Sequence, residues 1–134
     1  VHATACLQRA ALRWRKESVA RTSDLQALLG TLTRRSSTLG LEALVINFWS
    51  LAKLHEAGQA VPAETSKAFC TAIGNKRAEF SGRHVATLLW ALAKRPSQQH
   101  GVTVELLAAD AQRHYGDLSP QGLANCFWAL VSLR

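Results

Sequence analysis

A chain of 134 residues with 48% hydrophobic content, three prolines and eight glycines is long and apolar enough to bury a core, which excludes a disordered tail. Sixteen Lys and Arg against nine Asp and Glu give a net charge of +7, a balance that favours a polyanionic partner. The longest apolar stretch, Leu39 to Leu54, is broken by Glu42, Asn47 and Lys53, so no run reaches the ~18 residues of a membrane span and no membrane insertion is expected.

In chain order, the spacing of apolar residues predicts helices over about 3–17, 23–35, 40–55, 63–77, 82–95, 102–115 and 120–134. The first is basic. Residues 1 to 35 hold Arg9, Arg13, Arg15, Lys16, Arg21, Arg34 and Arg35 against Glu17 and Asp24, and Arg9, Arg13 and Lys16 fall on one helix face. The same Arg-rich opening also reads as a mitochondrial transit peptide. The chain begins at Val1 and contains no Met, so it is expected to be a processed product or a segment of a longer protein. Turn signals stand at Gly58 to Pro62, Pro96 to Gly101 and Gly116-Asp117. Thr38, Ser81 and Ser119 stand where N-caps or near-caps belong, and Pro120 suits a first helical turn.

Three of these segments share one pattern: LGLEALVINFWSLAKL (39–54), FSGRHVATLLWALAKR (80–95) and LSPQGLANCFWALVSL (118–133). Their tryptophans, Trp49, Trp90 and Trp128, stand 41 and 38 residues apart. Around them recur a large apolar residue ten before (Leu39, Phe80, Leu118), an aliphatic five before, a small residue one after and leucine two after. The intervening helices align too, through Leu32, Ile73 and Ala111, seven residues before those leading apolar positions. Two alternating helical patterns with a period of 38–41 predict an all-α fold, an α-solenoid of about three and a half helix–turn–helix repeats. The expected units are a degenerate pair at 1–37 with Trp14 in the tryptophan's place, repeats at 38–78 and 79–116, and a half repeat at 117–134.

Placing each tryptophan helix on a wheel at about 100° per residue separates two stripes. Offsets −5, −4, −1, +2 and +3 from the tryptophan carry Leu44, Val45, Phe48, Leu51 and Ala52 and their apolar counterparts, the expected packing face. Offsets −7, −3 and +4 carry Glu42, Ile46 and Lys53, then Arg83, Thr87 and Lys94, then Gln121, Asn125 and Ser132. A constant scaffold that presents changing polar groups is what reading successive bases requires. In that reading Gln121, Asn125 and Thr87 meet base edges, Arg83 stacks or donates, and Lys53 and Lys94 neutralise phosphate, as Arg9, Arg13 and Lys16 do on the first helix. Exposed positions also vary without function. The tryptophans are read as cement between adjacent helix pairs.

The segments "SPQGLANCFWALVSL" and "GRHVATLLWALAKR" resemble the octotricopeptide repeat of algal and apicomplexan organelle proteins, whose core reads Leu-Ala-Asn-x-Leu-Trp-Ala-Leu-Ala-Lys-Leu. A similar repeat occurs in FAST-kinase-like RNA-binding proteins and in kinetoplastid RNA-editing complexes. Leu123, Ala124, Asn125, Trp128, Ala129 and Leu130 carry the best match; Thr87 and Ile46 depart where the family favours asparagine. The resemblance covers residues 23 to 134. It implies RNA binding in an organelle, a mitochondrion before a chloroplast, either in a processing, stability or translation factor or in an organellar ribosome contacting rRNA. A protein–protein scaffold in a larger assembly is the alternative.

Other chemistry is quiet. Cys6, Cys70 and Cys126 are odd in number and form no C-x-x-C pair, and the five histidines show no metal-ligand spacing. No paired carboxylates, nucleophile–base signature or phosphate loop is recognisable, so the sequence predicts no enzyme, no cofactor, no metal and no small-molecule substrate.

Overall fold

The computed structural model describes residues 2–13, 22–95 and 102–133; Trp14, Lys16 and the Pro96–Gly101 turn lie outside them. Among the described residues there are seven α-helices and no strand: α1 His2–Arg13, α2 Thr22–Arg34, α3 Leu41–Glu56, α4 Ala63–Gly74, α5 Gly82–Lys94, α6 Val104–Arg113 and α7 Pro120–Ser132. The all-α expectation holds; the end expected for the first helix at 17 lies outside the described residues, and the other helix ends fall within three residues of those predicted. The largest difference is at α4, expected to run to 77 but stopping at Gly74. There the chain tightens into a 3-10 turn at Arg77–Glu79, and matching turns at Ser36–Thr38 and Tyr115–Asp117 also stand immediately before a tryptophan helix. Periodicity at 3.6 residues does not reveal a three-residue turn.

The helix ends show why the chain breaks where it does. Ser81 accepts a hydrogen bond from the His84 backbone N–H, while the Ser81 N–H donates to His84 Nδ1 at 3.0 Å, a reciprocal cap. Ser119 accepts from the Gly122 N–H at 2.9 Å, with Pro120 in the first turn of α7. Thr38 is not a helix cap: its hydroxyl donates to the Arg35 carbonyl at 2.8 Å, inside the 3-10 turn, and Gly40 holds the N-cap position of α3. α3 ends at Glu56, and Gly58 just beyond it, with a φ of 82°, lets the N–H groups of Gly58 and Gln59 fold back on His55 and Leu54.

The helices pack in a connected order. α1, α3, α5 and α7 touch in succession, each of the first three also meeting the helix that follows it in the chain, and α2 touches α4. Between them lies one core that includes Leu7, Leu29, Leu44, Phe48, Leu51, Phe69, Ile73, Leu88, Leu89, Leu92 and Leu107. Burial of the expected packing stripe is complete in α3, where Leu44, Val45, Phe48, Leu51 and Ala52 are all buried. In α5 the same offsets hold Val85, Ala86, Leu89 and Leu92, also buried, and Ala93 packed at the margin. In α7 the expectation fails: Leu123, Phe127 and Val131 are exposed, because among the described residues α7 has neighbours on one side only.

Polar groups tie the layers. Asn47, fully buried in α3, donates to Thr4 Oγ1 of α1 at 3.2 Å. Thr33 and Thr65 join α2 to α4 through a hydroxyl pair at 2.8 Å. Arg95 closes α5 by turning inward to donate to Ser66 Oγ at 2.6 Å. Asp117, in the third 3-10 turn, accepts from the Gly82 N–H at 3.3 Å at the start of α5, and a Cβ on Gly82 would collide with that carboxylate. Arg77, from the second 3-10 turn, reaches α6 and donates twice to Asp110, at 2.9 and 3.0 Å, with Arg113 on the same carboxylate.

Two outcomes follow for stability. Leu92→Ala should cost about 2–5 kcal/mol, measured by urea denaturation, because Leu92 is fully buried between helices. Asp110 is 1% exposed; burial alone would raise its pKa, but the hydrogen bonds from Arg77 and Arg113 outweigh this and hold it below the ordinary carboxylate range. A lowered folded pKa contributes stability that is fully present above the ordinary aspartate value and is lost as the pH falls through the lowered, folded one. Asp110→Asn should therefore lower stability by about 1–3 kcal/mol at pH 7 and flatten the acid limb of the stability–pH curve.

Candidate nucleic-acid interface

Each tryptophan is followed by a small, fully buried residue, Ser50, Ala91 or Ala129. The helices can therefore approach closely, and the indoles beside these positions meet at the surface. Trp49 and Trp90 lie 6.4 Å apart between ring centroids, tilted by 33°. Lys53 Nζ sits 5.7 Å from the Trp49 ring centroid and 4.8 Å from that of Trp90. Lys94 Nζ repeats the arrangement, 5.3 Å from Trp90 and 4.8 Å from Trp128. The result is a ladder of three indoles interleaved with two ammonium groups across α3, α5 and α7. Trp49 and Trp90 join α3 to α5 through their ring contact, but none of the three tryptophans is buried, and Trp128 is 43% exposed.

Acids close the ladder. Glu56 lies 2.7 Å from Lys94 Nζ and 3.6 Å from Lys53 Nζ. Partial burial raises the Glu56 pKa, but Lys94 and then Lys53 outweigh it and hold the carboxyl below its ordinary value. On the other side of the indoles, Glu42 of α3 accepts from Arg83 at 3.0 and 3.1 Å and meets His84 Nε2 at 2.6 Å. The Ser81 N–H donates to His84 Nδ1, which leaves Nε2 as the nitrogen that carries hydrogen towards Glu42. The hydrogen bond from His84, with the positive charge of Arg83, outweighs the effect of burial and holds the Glu42 carboxyl below its ordinary value.

The polar stripe predicted from offsets −7, −3 and +4 is brought onto one surface. A cleft of about 300 Å³ is lined by Gln8, Glu42, Ile46, Trp49, Arg83 and Thr87, among others. A second, of about 240 Å³, is lined by Trp49, Lys53, Thr87, Trp90 and Asn125. A third, of about 340 Å³, lies between α5 and α7 and includes Arg83, Thr87, Asp117, Gln121 and Asn125. Thr87 lines all three, so they form one run across α1, α3, α5 and α7. Within it Gln121 Nε2 donates to Asn125 Oδ1 at 3.0 Å, and Thr87 donates to the Arg83 carbonyl at 2.9 Å.

Of the residues singled out in the sequence, Lys53, Arg83, Thr87, Gln121 and Asn125 line this run, and Lys94 lies beside it over the Trp90 and Trp128 rings. Arg9 and Arg13 are exposed on α1 but line none of these clefts, and Lys16 lies outside the described residues. Gln8, one position from Arg9, reaches the first cleft instead. Sequence reasoning did not single out Gln8, His84 or Glu56. For Glu56 a signal existed, because it stands three residues after Lys53, at ion-pair spacing. No family model, curated protein or solved structure matches this chain.

Glu56→Gln should remove the carboxylate that spans the two ammonium groups. The expected loss, read by thermal or urea unfolding at pH 7, is under about 1 kcal/mol, since the group is partly exposed. Because the folded pKa of Glu56 is lowered, the difference from the parent should disappear as the pH falls through that value.

Proposed function

We propose that this chain is an RNA-binding helical-repeat module of an organellar gene-expression protein, a mitochondrial one, built as an α-solenoid of hairpins of 38–41 residues. The observation that carries the reading is the ladder of Trp49, Trp90 and Trp128 beside a continuous run of polar clefts on successive helices. Partly exposed indoles offer stacking faces to unpaired bases, worth about 1–3 kcal/mol each. Thr87, Asn125 and Gln121 offer donors and acceptors to base edges, and the net charge of +7 favours a polyanion. The repeat reading is supported by the recurrence of a 3-10 turn before each tryptophan helix and by the adjacency of the tryptophans. No catalytic role is assigned to any residue.

A second reading, a protein-only scaffold, is favoured by one specific observation. Three cations of the stripe already share two carboxylates, Arg83 with Glu42 and both lysines with Glu56, which leaves a single positive charge in excess. In the RNA reading these carboxylates must give way to phosphate, or the phosphates must run past them to exposed Arg9 and Arg13.

Tryptophan fluorescence decides between the two. Titration with single-stranded RNA at low salt should quench the emission. Lys94→Ala should then weaken binding to all RNAs alike and reduce the salt slope by about one phosphate's worth. Gln121→Ala or Asn125→Ala should change the preference between bases. Arg9→Ala with Arg13→Ala should behave like Lys94→Ala if α1 lies on the RNA path. Uniform losses at every position mean electrostatic holding of the rRNA type. An absence of binding at low salt would leave the scaffold as the answer.

A further inference from the structure

A groove of about 490 Å³ lies between the first 3-10 turn and α4, and it shares no lining residue with the three clefts beside the tryptophans. Ser36 and Ser37 line it from the turn; Glu64, Lys67, Thr71, Asn75 and Lys76 line it from α4 and the residues just after that helix. Lys67 makes no ion pair among the described residues. Lys76 is held by Glu79 at 3.8 Å, a long contact between partly exposed groups that gives way readily.

The turn also carries a pattern in its sequence. Arg34-Arg35-Ser36-Ser37 places two guanidinium groups three and two residues ahead of Ser37. That spacing suits the acidic substrate cleft of a basophilic serine/threonine kinase, which reads paired N–H donors with carboxylates. Arg34, Arg35 and Ser37 are all exposed, and the Ser37 hydroxyl has no hydrogen-bond partner among the described residues. Its neighbours are less free. Ser36 is half-buried, and the Thr38 hydroxyl is engaged on the Arg35 carbonyl at 2.8 Å. The turn buries no residue and is closed by two backbone hydrogen bonds, of 3.0 and 3.4 Å, so it can open into a kinase cleft without disturbing the core. Two further serines follow a pair of basic residues at the same spacing, in Arg15-Lys16-Glu17-Ser18 and Lys94-Arg95-Pro96-Ser97, and both lie outside the described residues. Of the three, Ser37 alone follows two arginines, and Arg95 is buried, donating to Ser66 Oγ at 2.6 Å.

We infer that Ser37 accepts a phosphoryl group from a basophilic serine/threonine kinase, and that the groove beside it seats the phosphate on Lys67 and Lys76. In the transfer, Ser37 Oγ bonds to the γ-phosphorus of a nucleoside triphosphate and the bond from that phosphorus to the β–γ bridging oxygen breaks. The hydroxyl proton goes to the kinase's catalytic base, and the nucleoside diphosphate leaves. The phosphoserine then carries about −1.5 to −2 charges at pH 7 and three strong acceptor oxygens. It stands just past the C-terminal end of α2, whose free carbonyls repel an anion, so it turns towards cations. Lys67 and Lys76 line the same groove, and Thr71 and Asn75 add O–H and N–H donors, against the single carboxylate of Glu64. Modification thereby ties the turn ahead of α3 to α4. The inference stands apart from RNA binding and does not rest on it.

The test incubates the 134-residue chain with magnesium, a nucleoside triphosphate and the catalytic subunit of cyclic-AMP-dependent kinase, and maps the product by tandem mass spectrometry. Phosphate should appear on Ser37. Arg34→Ala with Arg35→Ala should slow its appearance by about tenfold or more, because the paired donors are lost. The phosphorus resonance of the phosphoserine should titrate below the value of the same group in the urea-unfolded chain, about 6, since nearby cations favour the dianion. Lys67→Ala with Lys76→Ala should return that titration to the unfolded value while the rate of phosphorylation stays unchanged. Phosphate on Ser18 or Ser97 with none on Ser37 overturns the inference, as does modification of Ser37 in the unfolded chain alone. A phosphoserine that titrates alike in the parent and the double lysine variant overturns its seat in the groove.

Discussion

The close approach of α3, α5 and α7 is the constraint on which the rest of the arrangement depends. It is possible because the residue after each tryptophan is small and buried, Ser50, Ala91 or Ala129, while the leucine after that, Leu51, Leu92 or Leu130, packs into or against the core. A larger side chain at any of the three would separate the helices, since packed interiors absorb extra atoms poorly. With the backbones near one another, the large flanking rings have nowhere to go but outward and over the neighbouring helix. The surface ladder is thus a by-product of interior packing, and any binding chemistry on it inherits its spacing from the core.

Charge is distributed in a way that composition conceals. A basic chain invites the expectation of a basic face, yet the stripe beside the indoles is close to balanced by Glu42 and Glu56. The ammonium groups of Lys53 and Lys94 serve first as packing elements, seated over indole rings and braced by one carboxylate. Such a surface discriminates: a ligand must offer stacking or hydrogen bonding as well as negative charge to displace contacts already made.

Much of this was legible in the residues because it depends on period and spacing. The helix order, the burial of Leu44, Phe48 and Leu92, and the gathering of Lys53, Thr87 and Asn125 on one side all follow from positions repeated every 38–41 residues. What escaped depends on partners distant in sequence or on individual side-chain reach. The His84–Glu42 contact spans 42 positions, and nothing local announces it. The Arg77–Asp110 pair is equally remote and exists in one copy of the pattern only. The openness of α7 was illegible for a different reason: a helix wheel identifies an apolar face but says nothing about whether a neighbour stands beside it.

The contact between Gly82 and Asp117 carries a consequence for how the sequence can change over time. Asp117 accepts from the first N–H of α5 from the turn ahead of α7, and a Cβ at position 82 would displace its carboxylate. The matching positions in the other tryptophan helices are Leu41 and Pro120, which make no such demand. A side chain at position 82 has to turn that carboxylate aside, and loss of the carboxylate leaves the Gly82 N–H without its acceptor while Ser81 still caps the helix. Two positions 35 residues apart are therefore coupled, and what is tolerated at one depends on what stands at the other.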